Sequence, residues 1–161
     1  MKPFNESAVI GKPIDAVFAF AANPQNDPLW SPAVAEARQT SLGTLGIGTT
    51  FQQALRLLGR RLEITFAVTG FEQNRMLEIG RFSGRLRSAI ARRTFEPAPG
   101  GTRVTFSGEG ASGLFLNLLE PLVTTAARRQ ARRSLANLKQ TLEAQPEQTA
   151  AGSNRVAARE P

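Results

Sequence analysis

The sequence predicts an α+β fold in which a curved antiparallel sheet of about seven strands wraps one long C-terminal helix, with two short helices after strand one. Three observations carry this. Residues 112–143 place apolar side chains at Leu114, Leu118, Leu122, Ala126, Leu135, Leu138 and Leu142, at mostly helical intervals. Ahead of them lie short alternating runs separated by compact turns, the pattern of an antiparallel meander. A helix of roughly 30 residues spans about 45 Å, so its stripe needs a broad sheet to lie across.

Taken in order, residues 4–10 alternate and stop at Gly11, which makes the first strand. Lys12-Pro13-Ile14-Asp15 opens a short helix, with proline suited to a first turn and an acid suited to the positive end of the dipole. Asn23-Pro24 closes it, and residues 24–30 form a second short helix or turn. Strands follow at 34–41, 49–58, 61–71, 75–82, 86–95 and 102–110. Gly43, Gly46 and Gly48 mark a permissive turn without the spacing of a nucleotide cradle, and residues 97–101 mark a hairpin. Pro121 interrupts the long helix and predicts a kink there. Residues 1–143 form one domain, and 144–161, which have no apolar period, read as a disordered tail.

Composition narrows the chemistry. The 161 residues are 41% hydrophobic, with no cysteine, histidine or tyrosine. Disulfides, thiolate nucleophiles, histidine metal sites and Ser-His-Asp catalysis are therefore excluded. Catalysis would have to use carboxylates, arginines, lysines, hydroxyls or water. The expectation is no cofactor and no metal. Without a leader or a membrane-length apolar run, the chain reads as cytoplasmic. The formal charge is +7, yet no helix-turn-helix, zinc-finger or aromatic RNA-binding motif accompanies it. A specific nucleic-acid partner is not expected.

Five phrases in this order resemble the START-like (SRPBCC) superfamily and its polyketide cyclase/dehydrase-like branch. They are Ile10-Gly-Lys-Pro-Ile-Asp-Ala-Val-Phe18, Trp30-Ser-Pro32, Gly46-Ile-Gly-Thr49, Phe95-Glu-Pro97 with Gly101-Thr-Arg-Val-Thr105, and Leu135-Ala-Asn-Leu-Lys139. The likeness covers residues 3–143. It implies a helix-grip architecture with a cavity between sheet and helix that takes lipids, polyketides or other apolar molecules. Cyclase members similar to it use tyrosine, histidine or arginine in the cavity, and this chain has only the last.

Period-two alternation assigns faces to the strands. Phe51, Gln53, Leu55 and Leu57 share one; Leu62, Ile64, Phe66 and Val68 another; then Met76, Glu78, Gly80 and Phe82; then Val104, Phe106 and Gly108. All are expected to face Leu114, Leu118, Leu122 and Thr125 of the helix. The candidate ligand-binding set is Trp30, Phe51, Gln53, Leu55, Phe66, Phe82, Phe106, Leu114, Leu118 and Leu122, each of which could equally be plain core. Trp30 sits, by resemblance, at the cavity mouth. Gln53, Glu78, Ser88 and Arg92 are the polar residues expected inside, and Arg92 with Glu78 is the candidate catalytic pair or else a structural ion pair. Arg128, Arg129, Arg132 and Arg133 share a helix face, suited to transient contact with an anionic membrane or to simple solvation.

Three functions remain open at this point. One is binding of a mostly apolar small molecule, by a monomer or homodimer. The second is a cyclase/dehydratase, with Arg92 polarising a carbonyl of a poly-carbonyl chain while Glu78 moves a proton. The third is a partner- or anionic-surface-binding module acting through the basic helix face.

Overall fold

The computed structural model describes residues 3–57, 59–83, 89–110 and 116–146, with side chains of the last segment described from 121. Strand β1 (Phe4–Ile10) leads into helix α1 (Ile14–Ala21) and a 3-10 helix (Pro24–Leu29). Strands β2 (Val34–Gln39), β3 (Thr50–Leu57), β4 (Arg60–Glu72), β5 (Met76–Gly80), β6 (Ile90–Ala98) and β7 (Gly101–Glu109) follow. Helix α2 (Leu116–Glu143) runs on through Pro121. One seven-stranded sheet has the order β1-β7-β6-β5-β4-β3-β2, antiparallel throughout. Its curled half-barrel and the C-terminal helix are the helix-grip arrangement expected.

Local chemistry sets the boundaries. Asn23 Oδ1 accepts from Gln25 N at 3.0 Å and starts the 3-10 helix. β6 runs past the predicted end at 95, so the hairpin narrows to Pro99-Gly100 with Ala98 opposite Gly101. Gly101 has φ 149°, and a Cβ there would lie 1.9 Å from the Ile10 carbonyl oxygen, so only glycine lets this turn tuck under the end of β1. Residues 86–88, the expected start of β6, and 147–161 of the expected tail lie outside the described residues.

The core fills the concave face. Ile10, Phe95 and Val104 from the sheet meet Val17 and Phe18 of α1 and Leu135, Leu138 and Leu142 of α2. Phe18 packs edge-on against Phe95, with ring centroids 5.0 Å apart, and against Phe71 at 5.6 Å. Polar bonds fasten the end of α2 to β1. Lys139 Nζ donates to Val9 O (2.7 Å) and Glu143 Oε1 (2.6 Å), and Glu143 Oε1 also accepts from Gly11 N (2.8 Å).

The structure corrects the predicted faces in two places. Leu122 was expected to face the sheet but is 69% exposed, and Thr125 is exposed as well. The apolar series steps nine residues from Ala126 to Leu135, two and a half turns at about 3.6 residues each, which moves it to the opposite side of the helix. The buried stripe instead runs through Ala131, Ser134, Leu135, Leu138 and Leu142. In β5, Leu77 and Ile79 are the side chains in the core, so Met76 and Glu78 point to the convex face, and a Cβ on Gly80 would meet Thr69 there too. The two outermost residues of the β3 and β4 sets, Leu57 and Leu62, lie beyond the core and are exposed.

The corrected helix phase is testable by paired truncation. Leu138→Ala should cost about 2–5 kcal/mol of unfolding free energy, whereas Leu122→Ala should stay within about 0.5 kcal/mol of the parent in urea denaturation. Equal costs would restore the original phase.

Candidate functional site

The interior polar cluster is built from residues on four elements. Asp27, in the 3-10 helix, and Arg93, in β6, form a bidentate ion pair: Arg93 Nη1 donates to Oδ1 at 2.9 Å and Nη2 to Oδ2 at 2.7 Å. Asp27 is buried, so this charge is out of water and held by geometry rather than solvent. Arg93 Nη1 also donates to the Ala21 carbonyl at the end of α1 (2.8 Å), and Gln53 Nε2 on β3 donates to Asp27 Oδ2 (2.8 Å). The guanidinium carbon stands 5.0 Å from the Trp30 ring centroid and 5.7 Å from that of Phe106, which themselves lie 5.4 Å apart.

Two buried side-chain atoms find no hydrogen-bond partner among the described residues, Trp30 Nε1 in this cluster and Thr124 Oγ1 on α2. Thr124 lies seven residues before Ala131, hence on the sheet-facing stripe of α2. An unmatched N–H or hydroxyl in an apolar interior costs free energy unless something meets it.

The wall around them is graded. Phe51, Phe66 and Trp30 are buried, while Leu55, Phe82, Ala91 and Phe106 are only half-buried on the same face. Phe66 contacts Phe51 and Phe82, each with centroids 5.5 Å apart. Phe82 reaches this face although Glu78 and Gly80, of the same parity, do not. β5 ends at Gly80, and Arg81 takes φ 53°, a left-handed step that breaks the alternation. Beside the cluster, a groove of about 290 Å³ is lined by Pro28, Leu29, Trp30, Ser31 and Pro32 on one side and Asn137, Gln140 and Thr141 of α2 on the other.

The predicted residues therefore divide. Trp30, Phe51, Gln53, Leu55, Phe66, Phe82 and Phe106 are brought together on the concave face. Leu122 is not, Leu114 and Ser88 lie outside the described residues, and the side chain of Leu118 is likewise outside them. Glu78 and Arg92 do pair, through Arg92 Nε to Glu78 Oε2 at 3.0 Å, with Thr69 Oγ1 donating to Oε1 at 2.9 Å. They do so on the convex face, because Arg92 is opposite Glu78 in the ladder while Arg93 is opposite buried Leu77. The expectation that they reach the interior is thus corrected. The hydrogen bond from Arg92 holds the Glu78 carboxyl below its ordinary pKa, helped by Thr69 and opposed by partial burial.

Sequence reasoning missed Asp27, Arg93 and Thr124. The signal for Arg93 was divided, since it shares parity with Ala91 and Phe95 while Arg92 shares parity with Ile90. Asp27 and Thr124 carried none.

A curled sheet gripping a C-terminal helix, with an aromatic concave face and a buried polar anchor, defines the chain as an SRPBCC-type protein. It belongs to the polyketide cyclase/dehydrase and lipid transport family, whose model matches residues 1–143. Among solved structures it is similar to TTHA0849 of Thermus thermophilus, at 15% identity and TM-score 0.74, covering 89% of this chain and 98% of that one. It is also similar to BexL, a di-domain ARO/CYC protein of the BE-7585A biosynthetic pathway, at 17% identity and TM-score 0.73, covering 90% of this chain and 51% of that one. The structure of Ara h 8.0201 matches at 15% identity and TM-score 0.64, over 89% of this chain and 99% of that one. No curated protein matches the sequence. No helix among the described residues is long and apolar enough to cross a membrane.

Two outcomes test this geometry. Arg93→Met leaves Asp27 buried without its counter-charge and should cost about 3–5 kcal/mol, whereas Arg92→Met on the convex face should cost about 1 kcal/mol or less. The depressed Glu78 pKa adds stability that is present above the ordinary carboxylate range and is lost as pH falls through the folded value. A melting-temperature advantage over Glu78→Gln should therefore be seen near neutrality and vanish on acidification; an advantage that grew in acid would contradict the pairing.

Proposed function

We propose that the chain binds one small, mostly apolar molecule between the concave sheet face and the first half of α2, with a carbonyl or hydroxyl oxygen at its polar end. The observation that carries this is the unmatched buried Trp30 Nε1 within an aromatic and aliphatic wall, together with an unmatched buried hydroxyl, Thr124 Oγ1, on the same stripe of α2 as Ala131. Both can donate a hydrogen bond, so the complement is an acceptor oxygen. Arg93 is already neutralised by Asp27, which favours a neutral oxygen over a free carboxylate. Affinity would come from burial, about 25 cal/mol per Å² of apolar surface, and orientation from the few polar groups.

The half-buried state of Leu55, Phe82, Ala91 and Phe106 supports placing the ligand toward that end, since the opposite end is filled by Leu135, Leu138 and Leu142. The ligand-binding unit would be residues 1–143. The cyclase reading loses Glu78 and Arg92, which lie on the other face. The interior carboxylate does not replace them, because both Asp27 oxygens are engaged by Arg93 and Gln53.

Trp30 is the sole tryptophan, so its fluorescence reports on the site directly. A hydroxylated anthraquinone should quench it at one-to-one stoichiometry and raise the melting temperature. Thr124→Val should weaken that binding about tenfold, equivalent to about 1.4 kcal/mol, while anthracene, which lacks the oxygen, should bind parent and variant alike. Native mass spectrometry of freshly purified protein gives a second reading, as a bound apolar adduct. No adduct, no quenching and no thermal shift with either anthraquinone or oleic acid would sink the proposal.

A further inference from the structure

The β3–β4 hairpin extends past its neighbours. β4 is thirteen residues long, but the ladder with β5 covers only Ala67–Glu72. Beyond that Thr65 exchanges hydrogen bonds with Ser83, whose N–H donates to Thr65 O at 2.9 Å and whose Oγ accepts from Thr65 N at 3.0 Å. Farther out come the rungs Leu55–Leu62, Arg56–Arg61 and Leu57–Arg60. On the β3 side β2 follows as far as Val34 opposite Leu55, with Arg56 N–H donating to Ala33 O at 2.7 Å, whereas on the β4 side no strand pairs with these rungs among the described residues.

The concave face along this ribbon changes rung by rung. Phe51–Phe66 and Gln53–Ile64 are buried. Leu55 is half-buried beside Leu62, which is 42% exposed, and Leu57, 49% exposed, ends the face beside exposed Arg60. A face that merely terminated in water would turn polar; this one keeps its leucines and adds Arg60, while Arg56 and Arg61 flank it from the convex side. From Leu55 to Leu62 the sequence holds three arginines and no acid. Arg61 is spent on Glu36 and Glu63 on the convex side, while Arg56 and Arg60 form no direct ion pair among the described residues. Exposed Arg81 starts the loop that leaves β5 toward the same end.

We propose that this hairpin tip docks on an anionic phospholipid bilayer, with Leu57 and Leu62 entering the acyl boundary and Arg56 and Arg60 meeting the headgroups. Apolar side chains interleaved with cations of one sign fit a lipid interface. A second copy of the chain fits poorly, because two-fold pairing would set arginine against arginine. The formal charge of +7 adds long-range attraction of the same sense. The surface stands on these residues alone and does not depend on the ligand proposed above.

Sedimentation with vesicles of phosphatidylcholine containing about 30% phosphatidylserine tests it, beside vesicles of phosphatidylcholine alone. The parent protein should bind the anionic vesicles at least about tenfold more tightly, and lose that binding as salt shortens the screening length. Arg56→Glu/Arg60→Glu and Leu57→Ser/Leu62→Ser should each weaken binding about tenfold with circular dichroism unchanged; having two variants guards against misfolding of either. Arg128→Glu/Arg129→Glu on α2 should leave it intact. No preference for anionic vesicles would overturn the proposal. So would loss of binding in the α2 variant alone, or a dimer in light scattering that Leu57→Ser/Leu62→Ser dissociates without vesicles.

Discussion

The position of the 3-10 helix on the sheet rests on one carboxylate and one guanidinium removed from water together. Asp27 and Arg93 come from segments 66 residues apart in sequence, and neither charge is tolerable in the interior without the other. Their bidentate geometry fixes both direction and distance, which an apolar contact would not. Through the same pair, the end of α1 is tied by the Ala21 carbonyl and β3 by Gln53. Trp30 follows Leu29 at the end of the 3-10 helix, so the ring is delivered onto Arg93 and Phe106 as a consequence. A change in that pair would therefore move the aromatic wall as well as weaken the fold.

The core is correspondingly two-ended. Toward Gly11 it is closed by the second half of α2, by the Lys139–Glu143 bonds to β1 and by the Gly101 turn beneath Ile10. Toward the β3–β4 hairpin the strands have unequal lengths and the apolar residues are only half covered. The short fifth strand is the cause. With five residues against thirteen in β4, it leaves about half of that strand paired on its β3 side alone.

Element order and most strand limits were legible because turn residues and alternation are local properties. Faces were less so. β5 has apolar residues of both parities, Met76 against Leu77 and Ile79, so alternation alone does not choose between them. The choice is made by β4, where a register shift between Val68 and Gly70 sets Ile79 opposite Val68. The helix failed differently: its leucines occupy two sides, and a list of apolar positions conceals the nine-residue step between them. Leu77 and Arg93 share one rung and Glu78 and Arg92 the next, so the face of β5 decides which arginine lies inside. Asp27 was illegible in principle, since an acid beside two prolines reads as turn chemistry until its distant partner is placed.

The sheet order has a temporal consequence. β1 lies at one edge and pairs only with β7 among the strands, Phe4 opposite Gly108, while α2 packs on it from later still. During synthesis the first strand therefore has no ladder to join until roughly a hundred further residues have been made. Closing so long a loop carries a large entropic cost before any contact repays it, which places this fold among the slow, non-local folders. Until then Glu6 and Ser7 among the apolar residues of β1 keep the waiting edge polar, which lessens its tendency to pair with a neighbouring chain.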